Sequence, residues 1–434
     1  MLDYQKMYRQ KLTTAEKIAE VIQSGFCCAC TSALGEPDAI MKALSKRVLQ
    51  KNLKGIEHHM LLASREEPYL DPAFAGKIIH VPWFTSGKAR PAVWEGRADF
   101  MPNFYYEVPR LWRESVLPDV FYAMVSPMDA HGFFSFGVGA AEGRAQMSRA
   151  RYVFLEVNRY MPRVLGDNFI HISEVNAICE HHAPLPVMPD SVSSEKDKAI
   201  GLLITEHIPD GATLQLGIGG IPNAVGEYLI SKKHLGIHSE LFCDSFVKLI
   251  EAGAVDNSRK HINRGKSVAT FAIGSQALFD YVDDNPGVEF YPVDYINDPR
   301  IIAQNDTMIS VNSCVEVDLI GQVCSESIGY RNISGTGGQV DFIRGANWSR
   351  GGRSFICTYS TAKQDTISKI RPVLAEGAHV TTSKSDVDCI VTEYGIAELR
   401  GKTASQRARS LIAVAHPKFR DELMEAANDM NIMV

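Results

Sequence analysis

Leu214-Gln215-Leu216-Gly217-Ile218-Gly219-Gly220-Ile221-Pro222-Asn223 reads as a short apolar strand, a glycine turn and a proline-marked helix start. A helical stretch from Ala199 to His207 and a turn glycine, Gly211, lead into it. The helix runs on through Val225-Gly226-Glu227-Tyr228-Leu229. The same order stands near the beginning of the chain. A helical stretch leads into Gly25, a short apolar run follows, and Pro37 opens a second helix through Ala43-Leu44.

The echo continues. Gly55-Ile56-Glu57-His58-His59-Met60-Leu61 answers to Gly236-Ile237-His238-Ser239-Glu240-Leu241-Phe242, and Asp129-Ala130-His131-Gly132 to Asp318-Leu319-Ile320-Gly321. The pairs Gly25/Gly211, Pro37/Pro222, Gly55/Gly236 and Asp129/Asp318 are 186, 185, 181 and 189 residues apart. Offsets this constant point to a duplicated domain and not to a short solenoid repeat. The joint is expected near Pro184 to Lys196, where prolines and serines gather. This gives an N-terminal domain over 1–188 and a C-terminal domain over 189–434 that carries the reactive carboxylate.

Within each half, β-branched runs such as Lys77-Ile78-Ile79-His80-Val81, Tyr152 to Val157 and Val288 to Val293 alternate with helical stretches. The expected fold is α/β, two duplicated open α/β domains with largely parallel, buried sheets. Ligands of such sheets bind outside the carboxyl ends of the strands, where the loop after Leu216 stands. Of the two copies, only the second joins a glycine loop to a carboxylate. The first has Ser32-Ala33-Leu34-Gly35-Glu36 for the loop and His59 for Glu240. A single site at the cleft between the halves is the expectation.

Composition narrows the class. A chain of 434 residues is long for one core, and 45% apolar with 22% charged residues is ordinary for a globular protein. Net charge is −6 with no basic tract, so nucleic acid is not expected as a partner. The polar start Met1-Leu2-Asp3-Tyr4-Gln5-Lys6 lacks the apolar core of a signal peptide, and no long apolar run is of spanning length. The cytoplasm is the expected location, with no membrane partner. Nine cysteines is an odd number, and the one Cys-x-x-Cys, Cys27 to Cys30, lies in an apolar strand without a second pair. They read as small core residues, with no metal expected.

Five places are candidates to carry chemistry. Glycines at 217, 219 and 220 let backbone amides approach an anion at a helix start, although the loop fits neither the dinucleotide nor the P-loop pattern; a tight turn is the other reading. Ser334-Gly335-Thr336-Gly337-Gly338-Gln339-Val340-Asp341 is a second glycine cluster, in which Asp341 reads as a turn cap with no chemical role. Asn297, in Asn297-Asp298-Pro299, either orients a carboxylate or only shapes a turn. Lys363, beyond the strand at 354–359, either meets an anion or is solvated. Glu240 itself is either a desolvated nucleophile or a surface glutamate at a strand end.

Together these segments resemble the acetyl-CoA hydrolase/transferase family, the glutamate-dependent CoA-transferases. Within it the chain looks like the 4-hydroxybutyrate and butyryl-CoA:acetate CoA-transferases. The resemblance rests on Ser126 to Gly132, Glu156 to Arg163 with Gly166-Asp167, Gly217 to Asn223, His238-Ser239-Glu240, Gly335 to Phe342 and Glu393 to Lys402, and so spans both halves. It implies that Glu240 attacks the thioester, Asn297 positions it and Gly338 supplies an oxyanion amide. It implies that Gly217, Ile218, Gly219, Gly220, Ile221, Gly335, Gly337, Gly338 and Lys363 contact coenzyme A, here a substrate. No metal or redox cofactor is implied, and a homodimer or higher homo-oligomer is. The partners are an acyl-CoA and a short-chain carboxylate. The implied reaction is ping-pong transfer through a glutamyl-CoA thioester. An acetyl-CoA hydrolase using the same glutamate and a non-catalytic acyl-CoA-binding protein remain as alternatives.

Overall fold

The computed structural model describes residues 3–31, 33–65, 67–188 and 191–434. Ser32 of the first-half loop and Pro189 and Asp190 of the expected linker lie outside the described residues. By packing, the chain forms two compact units: Met1–Met188 with Val268–Ile296, and Pro189–Ser267 with Asn297–Val434. The sequence reading assigns all of 189–434 to one domain, whereas packing groups 268–296 with the first unit. The local reason is a short parallel pairing in which Glu289 stands opposite Leu165 and Phe290 opposite Gly166. Arg163 strengthens it. Its N–H donates to Asp283 Oδ1 at 2.7 Å, and its guanidinium meets Asp284 Oδ1 at 2.7 Å. Gly166 has φ +106°, and a Cβ there would overlap the backbone of Phe290, so the pairing requires glycine.

The first unit is built on a six-stranded sheet. In spatial order its strands are Ile78–Pro82, Ile56–Met60, Cys27–Cys30, Val120–Val125, Tyr152–Val157 and Ala177–Glu180. All neighbours are parallel. Val120–Val125 is buried at every position, which is why it reads as an unbroken apolar run and not as an alternating one. The second unit repeats the plan. Its strands run Gly236–Ile237, Thr213–Leu216, Met308–Ser313, Arg353–Cys357, Cys389–Thr392 and Gly395–Glu398. The first five are parallel, and the last closes the edge as an antiparallel hairpin. In each sheet the strand order reverses beside the first strand of the unit, and the second-unit glycine loop leaves its sheet at that reversal.

The duplication extends to single hydrogen bonds. Asp129 Oδ1 accepts from the N–H of His131 at 2.8 Å and of Phe133 at 2.9 Å, around Gly132 at φ +86°. Asp318 Oδ1 accepts from Ile320 at 3.2 Å and Gln322 at 2.8 Å, around Gly321 at φ +90°. Both are Asx-type turns that need a left-handed residue at the same place.

Sheet register also corrects one correspondence. Anchoring Gly25 on Gly211 matches Cys27 with Thr213. Cys27 pairs with Glu57 and Thr213 pairs with Gly236. Glu57 therefore answers to Gly236, and four residues on, Glu240 answers to Leu61 and not to His59. His59 is a buried strand residue whose Nδ1 accepts from Trp83 Nε1 at 3.2 Å. Trp83 in turn stacks on Trp112 with ring centroids 4.9 Å apart, which makes it core.

Candidate active site

Glu240 stands just past the carboxyl end of Gly236–Ile237, the edge strand of the second sheet. Leu214 pairs with Ile237, so Gly217 comes level with Glu240 three residues further along both strands. The intervening segment is pinned. The His238 N–H donates to Leu214 O at 3.1 Å and Ser239 Oγ donates to Leu216 O at 3.3 Å. Both side chains are fully buried, and the His238 ring meets Phe342 edge-on at 6.2 Å. The His-Ser pair thus serves as a clamp that delivers the following carboxylate to the strand end.

Two donors converge on that carboxylate. Asn297 Nδ2 donates to Glu240 Oε2 at 2.7 Å, and the Gly338 N–H donates to the same carboxylate. Asn297 is fully buried in the turn between the helices Val293–Ile296 and Pro299–Ile302; Asp298 caps the latter by accepting from the Arg300 N–H at 2.8 Å. Gly338 is the N-cap of the ten-residue helix Gln339–Trp348, so the positive end of that helix faces the carboxylate. A Cβ at position 338 would overlap Glu240 Oε2 and Asn297 Nδ2. Burial pushes the Glu240 carboxyl up to about 7, against the lowering effect of the Asn297 and Gly338 bonds. The three residues expected to act on the thioester are therefore gathered at one point.

The glycine loop does something adjacent. Gly219 has φ +116° and caps the helix Gly220–Leu229, and Ile218 is exposed. Residues 218–222 border a cavity of about 200 Å³ whose other wall is Cys314, Cys357, Thr358 and Tyr359. Its cation is Lys369, whose Nζ donates to Thr358 Oγ1 at 3.1 Å and lies 5.8 Å from the Tyr359 ring. Asp197 also borders the cavity, but Ser194 and Tyr359 donate to its oxygens at 2.7 and 2.8 Å. Lys363 does not line the cavity. It is exposed, at φ +48°, in the turn that joins Thr361–Ala362 to Ile367–Ser368. Sequence reasoning passed over Lys369 because nothing marks it apart from the hairpin that turns it back. It passed over Asp341 as a mere cap, whereas Asn297 Nδ2 reaches Asp341 Oδ2 at 3.3 Å.

Gly335 and Gly337 precede the donor amide, and Gly337 takes φ +52° to turn the chain into the helix. Glu393 accepts from Ser360 N and Oγ at 2.8 and 2.9 Å, which gives its segment a structural role. All nine cysteines are free, and eight are buried. Cys27, Glu57 and His59 lie close enough together to hold a metal ion. However, Trp83 donates to His59 Nδ1, which puts the ring proton on Nε2, and Nε2 sits 3.0 Å from Glu57 Oε2. Burial pushes the Cys27 thiol up to about 12, so the sulfur is a thiol at neutral pH. Among the described residues no helix is long and apolar enough to cross a membrane.

The fold and the site define a duplicated α/β protein of CoA-transferase type, with a carboxylate held at a strand end between a side-chain amide and a helix N-terminus. Residues 1–189 match the acetyl-CoA hydrolase/transferase N-terminal domain and residues 274–427 the C-terminal domain. The chain is 48% identical to the succinyl-CoA:cyclohexane-1-carboxylate CoA transferase of Geobacter metallireducens, over 99% of this chain and 97% of that one. It is 47% identical to the 4-hydroxybutyrate coenzyme A transferase of Clostridium kluyveri, over 98% of each. The crystal structure of RipA from Yersinia pestis superimposes with a TM-score of 0.95 at 39% identity, covering 100% of both chains. An acetyl-CoA hydrolase of Yarrowia lipolytica is far more distant, at 26% identity over 96% of this chain and 90% of that one. The chain belongs to the acetyl-CoA hydrolase/transferase family, as its motifs imply, and its high-identity relatives are CoA-transferases.

Proposed function

We propose that this chain is an acyl-CoA:carboxylate CoA-transferase that works through covalent catalysis by Glu240. The observation that carries the reading is the pair of donors, Asn297 Nδ2 and Gly338 N–H, on one desolvated carboxylate. A carboxylate is a weak nucleophile unless it is ionised, partly stripped of water and aimed. The Glu240 oxygen attacks the thioester carbonyl, and collapse of the adduct expels CoA thiolate and leaves an acyl-glutamyl anhydride. The thiolate attacks the glutamyl carbonyl, which releases the first carboxylate and forms a glutamyl-CoA thioester. The second carboxylate attacks that thioester, and the returning thiolate takes its acyl group, which restores Glu240. Each addition builds an oxyanion within reach of the same donors, and one such donor is worth roughly 3–4 kcal/mol.

Coenzyme A is a substrate in this scheme. The loop at 217–221, the segment at 335–338 and Lys363 are its proposed contacts, and Lys369, which borders the cavity beside the loop where Lys363 does not, is a second candidate for the lysine. Short-chain acids of the kind named in the relatives are the proposed acyl groups and acceptors. A homodimer or higher homo-oligomer rests on the family resemblance alone.

Mixing enzyme with acyl-CoA alone, followed by proteolysis and mass spectrometry, tests the scheme. A CoA-sized mass on the Glu240 peptide, removed by borohydride and missing in Glu240→Ala, is expected. Full turnover by Glu240→Ala would end the proposal. Hydrolysis is distinguished by the acceptor: acyl-CoA consumption indifferent to added acetate or butyrate would favour water.

A further inference from the structure

We propose that Asp341 is a positioning residue that fixes the orientation of the Asn297 side-chain amide, so that its NH₂ group and not its carbonyl faces the reacting carboxyl of Glu240. This inference rests on the covalent reading of Glu240 given above. It starts from the hydrogen-bonding inventory of three groups. Asn297 Nδ2 lies 2.7 Å from Glu240 Oε2 and 3.3 Å from Asp341 Oδ2. An ionised carboxylate only accepts, and an amide NH₂ has two hydrogens, so one hydrogen serves each carboxylate. The other end of the amide contributes nothing to this choice. Asn297 Oδ1 is buried and has no hydrogen-bond partner among the described residues. Turning the amide over would leave Oδ1 facing the two carboxylates, and they alone oppose that turn.

The two carboxylates are not equivalent during turnover. Glu240 changes charge at every half-reaction, from carboxylate to neutral anhydride or thioester and back. A protonated Glu240 is satisfied by an amide carbonyl as well as by an NH₂. Glu240 therefore cannot hold Asn297 in one orientation through the cycle. Asp341 does not react, is 1% exposed, and sits in the first turn of the helix whose N-cap is Gly338. One rigid helix thus sets both donors on the reacting carboxyl: Gly338 by its own N–H, and Asn297 through Asp341.

The test is a double-mutant cycle on the intact enzyme. Asp341→Asn keeps the shape but replaces an acceptor-only group by one that can donate. It is expected to lower kcat by roughly ten- to a hundredfold, less than the 10²–10³ for deleting a donor. KM for acyl-CoA should stay within about twofold, because Asp341 itself is not among the proposed CoA contacts. In an Asn297→Ala background, where no amide is left to orient, Asp341→Asn should have little further effect. An equal loss in both backgrounds would overturn the proposal, since a purely structural Asp341 costs the same with or without Asn297. If Asp341→Asn does not fold, Asp341→Glu is compared with Asp341→Gln; equal turnover in the two is then the overturning result. The adduct separates this proposal from the one it rests on. A wild-type enzyme that forms no glutamyl-CoA adduct removes the covalent reading. A normal wild-type adduct that forms equally fast in Asp341→Asn removes only the role of Asp341.

Discussion

Gly338 donates its N–H to the Glu240 carboxylate from a backbone position where a Cβ would overlap Glu240 Oε2. The close approach that makes the bond is the same one that excludes a side chain. Glycine is required here by space and not by backbone angle, since its φ of −88° is open to any residue.

Gly338→Ala is accordingly expected to displace Glu240 and Asn297 together. We expect kcat to fall by about 10²–10³, the range for removing one oxyanion donor. Circular dichroism and the melting temperature should show a folded protein, because the strain is relieved by moving side chains. Retained wild-type kcat in Gly338→Ala would show that the amide is not part of the reaction.

The pH dependence of kcat/KM should report Glu240 in the free enzyme. Burial pushes its carboxyl up to about 7, and attack requires the ionised form, so kcat/KM should rise with pH to a plateau with a midpoint near that value. The Asn297 bond lowers the pKa, so Asn297→Ala should move the midpoint to higher pH. An unmoved midpoint in that variant would detach the observed ionisation from Glu240.

The same ionisation bears on stability, with a definite sign. A carboxyl whose folded pKa is raised above its unfolded value favours the fold fully below the unfolded pKa, and that contribution is lost as pH rises through about 7. Glu240→Gln cannot ionise, so its melting temperature should gain on the wild type as pH rises. Between about pH 5 and about pH 8.5 the corresponding gain in stability should amount to about 2 kcal/mol, less than the full shift implies because the Glu240 residue is only partly buried. A difference in melting temperature that stays constant across this range would count against a desolvated carboxylate.

Lys369 and Lys363 can be separated by substrate length. Lys369 borders the cavity beside the glycine loop and Lys363 is exposed on a turn. Lys369→Met should raise KM for acyl-CoA by about tenfold, a charge-assisted contact being worth roughly 1.5–3 kcal/mol, and Lys363→Met should raise it less. With an acyl-pantetheine substrate, which lacks the nucleotide, the Lys369→Met effect should shrink if the lysine meets a phosphate. The reverse ranking of the two lysines would return the role to Lys363.

Much of this architecture was legible in the sequence because buried parallel strands leave apolar runs and strand-to-helix turns leave Gly and Pro. Tyr152–Val157 has the bounds that the residues suggest. The Asp129 and Asp318 turns, 189 residues apart, carry the repeat in their hydrogen bonds as well as their spelling. The pairing of Glu289 with Leu165 was not legible, since a three-residue strand has no period to read and its partner is distant in sequence. The match of Glu240 to His59 was off by two because residue order does not fix sheet register. The grouping of Glu240, Asn297 and Gly338 came from the resemblance, while the part played by Asp341 needed coordinates. An aspartate in a first turn looks like any cap until the amide facing it is seen.

The return of Val268–Ile296 to the first unit means that the polypeptide passes between the two units three times. The duplicated halves are therefore interlaced in their covalent thread and are not beads on a string. A ribosome that has made residues 1–188 has not yet made all of the first unit. That unit waits for residue 296, by which time only residues 189–267 of the second, little more than a third of it, have been made. Cutting the gene at the apparent joint would separate neither half cleanly.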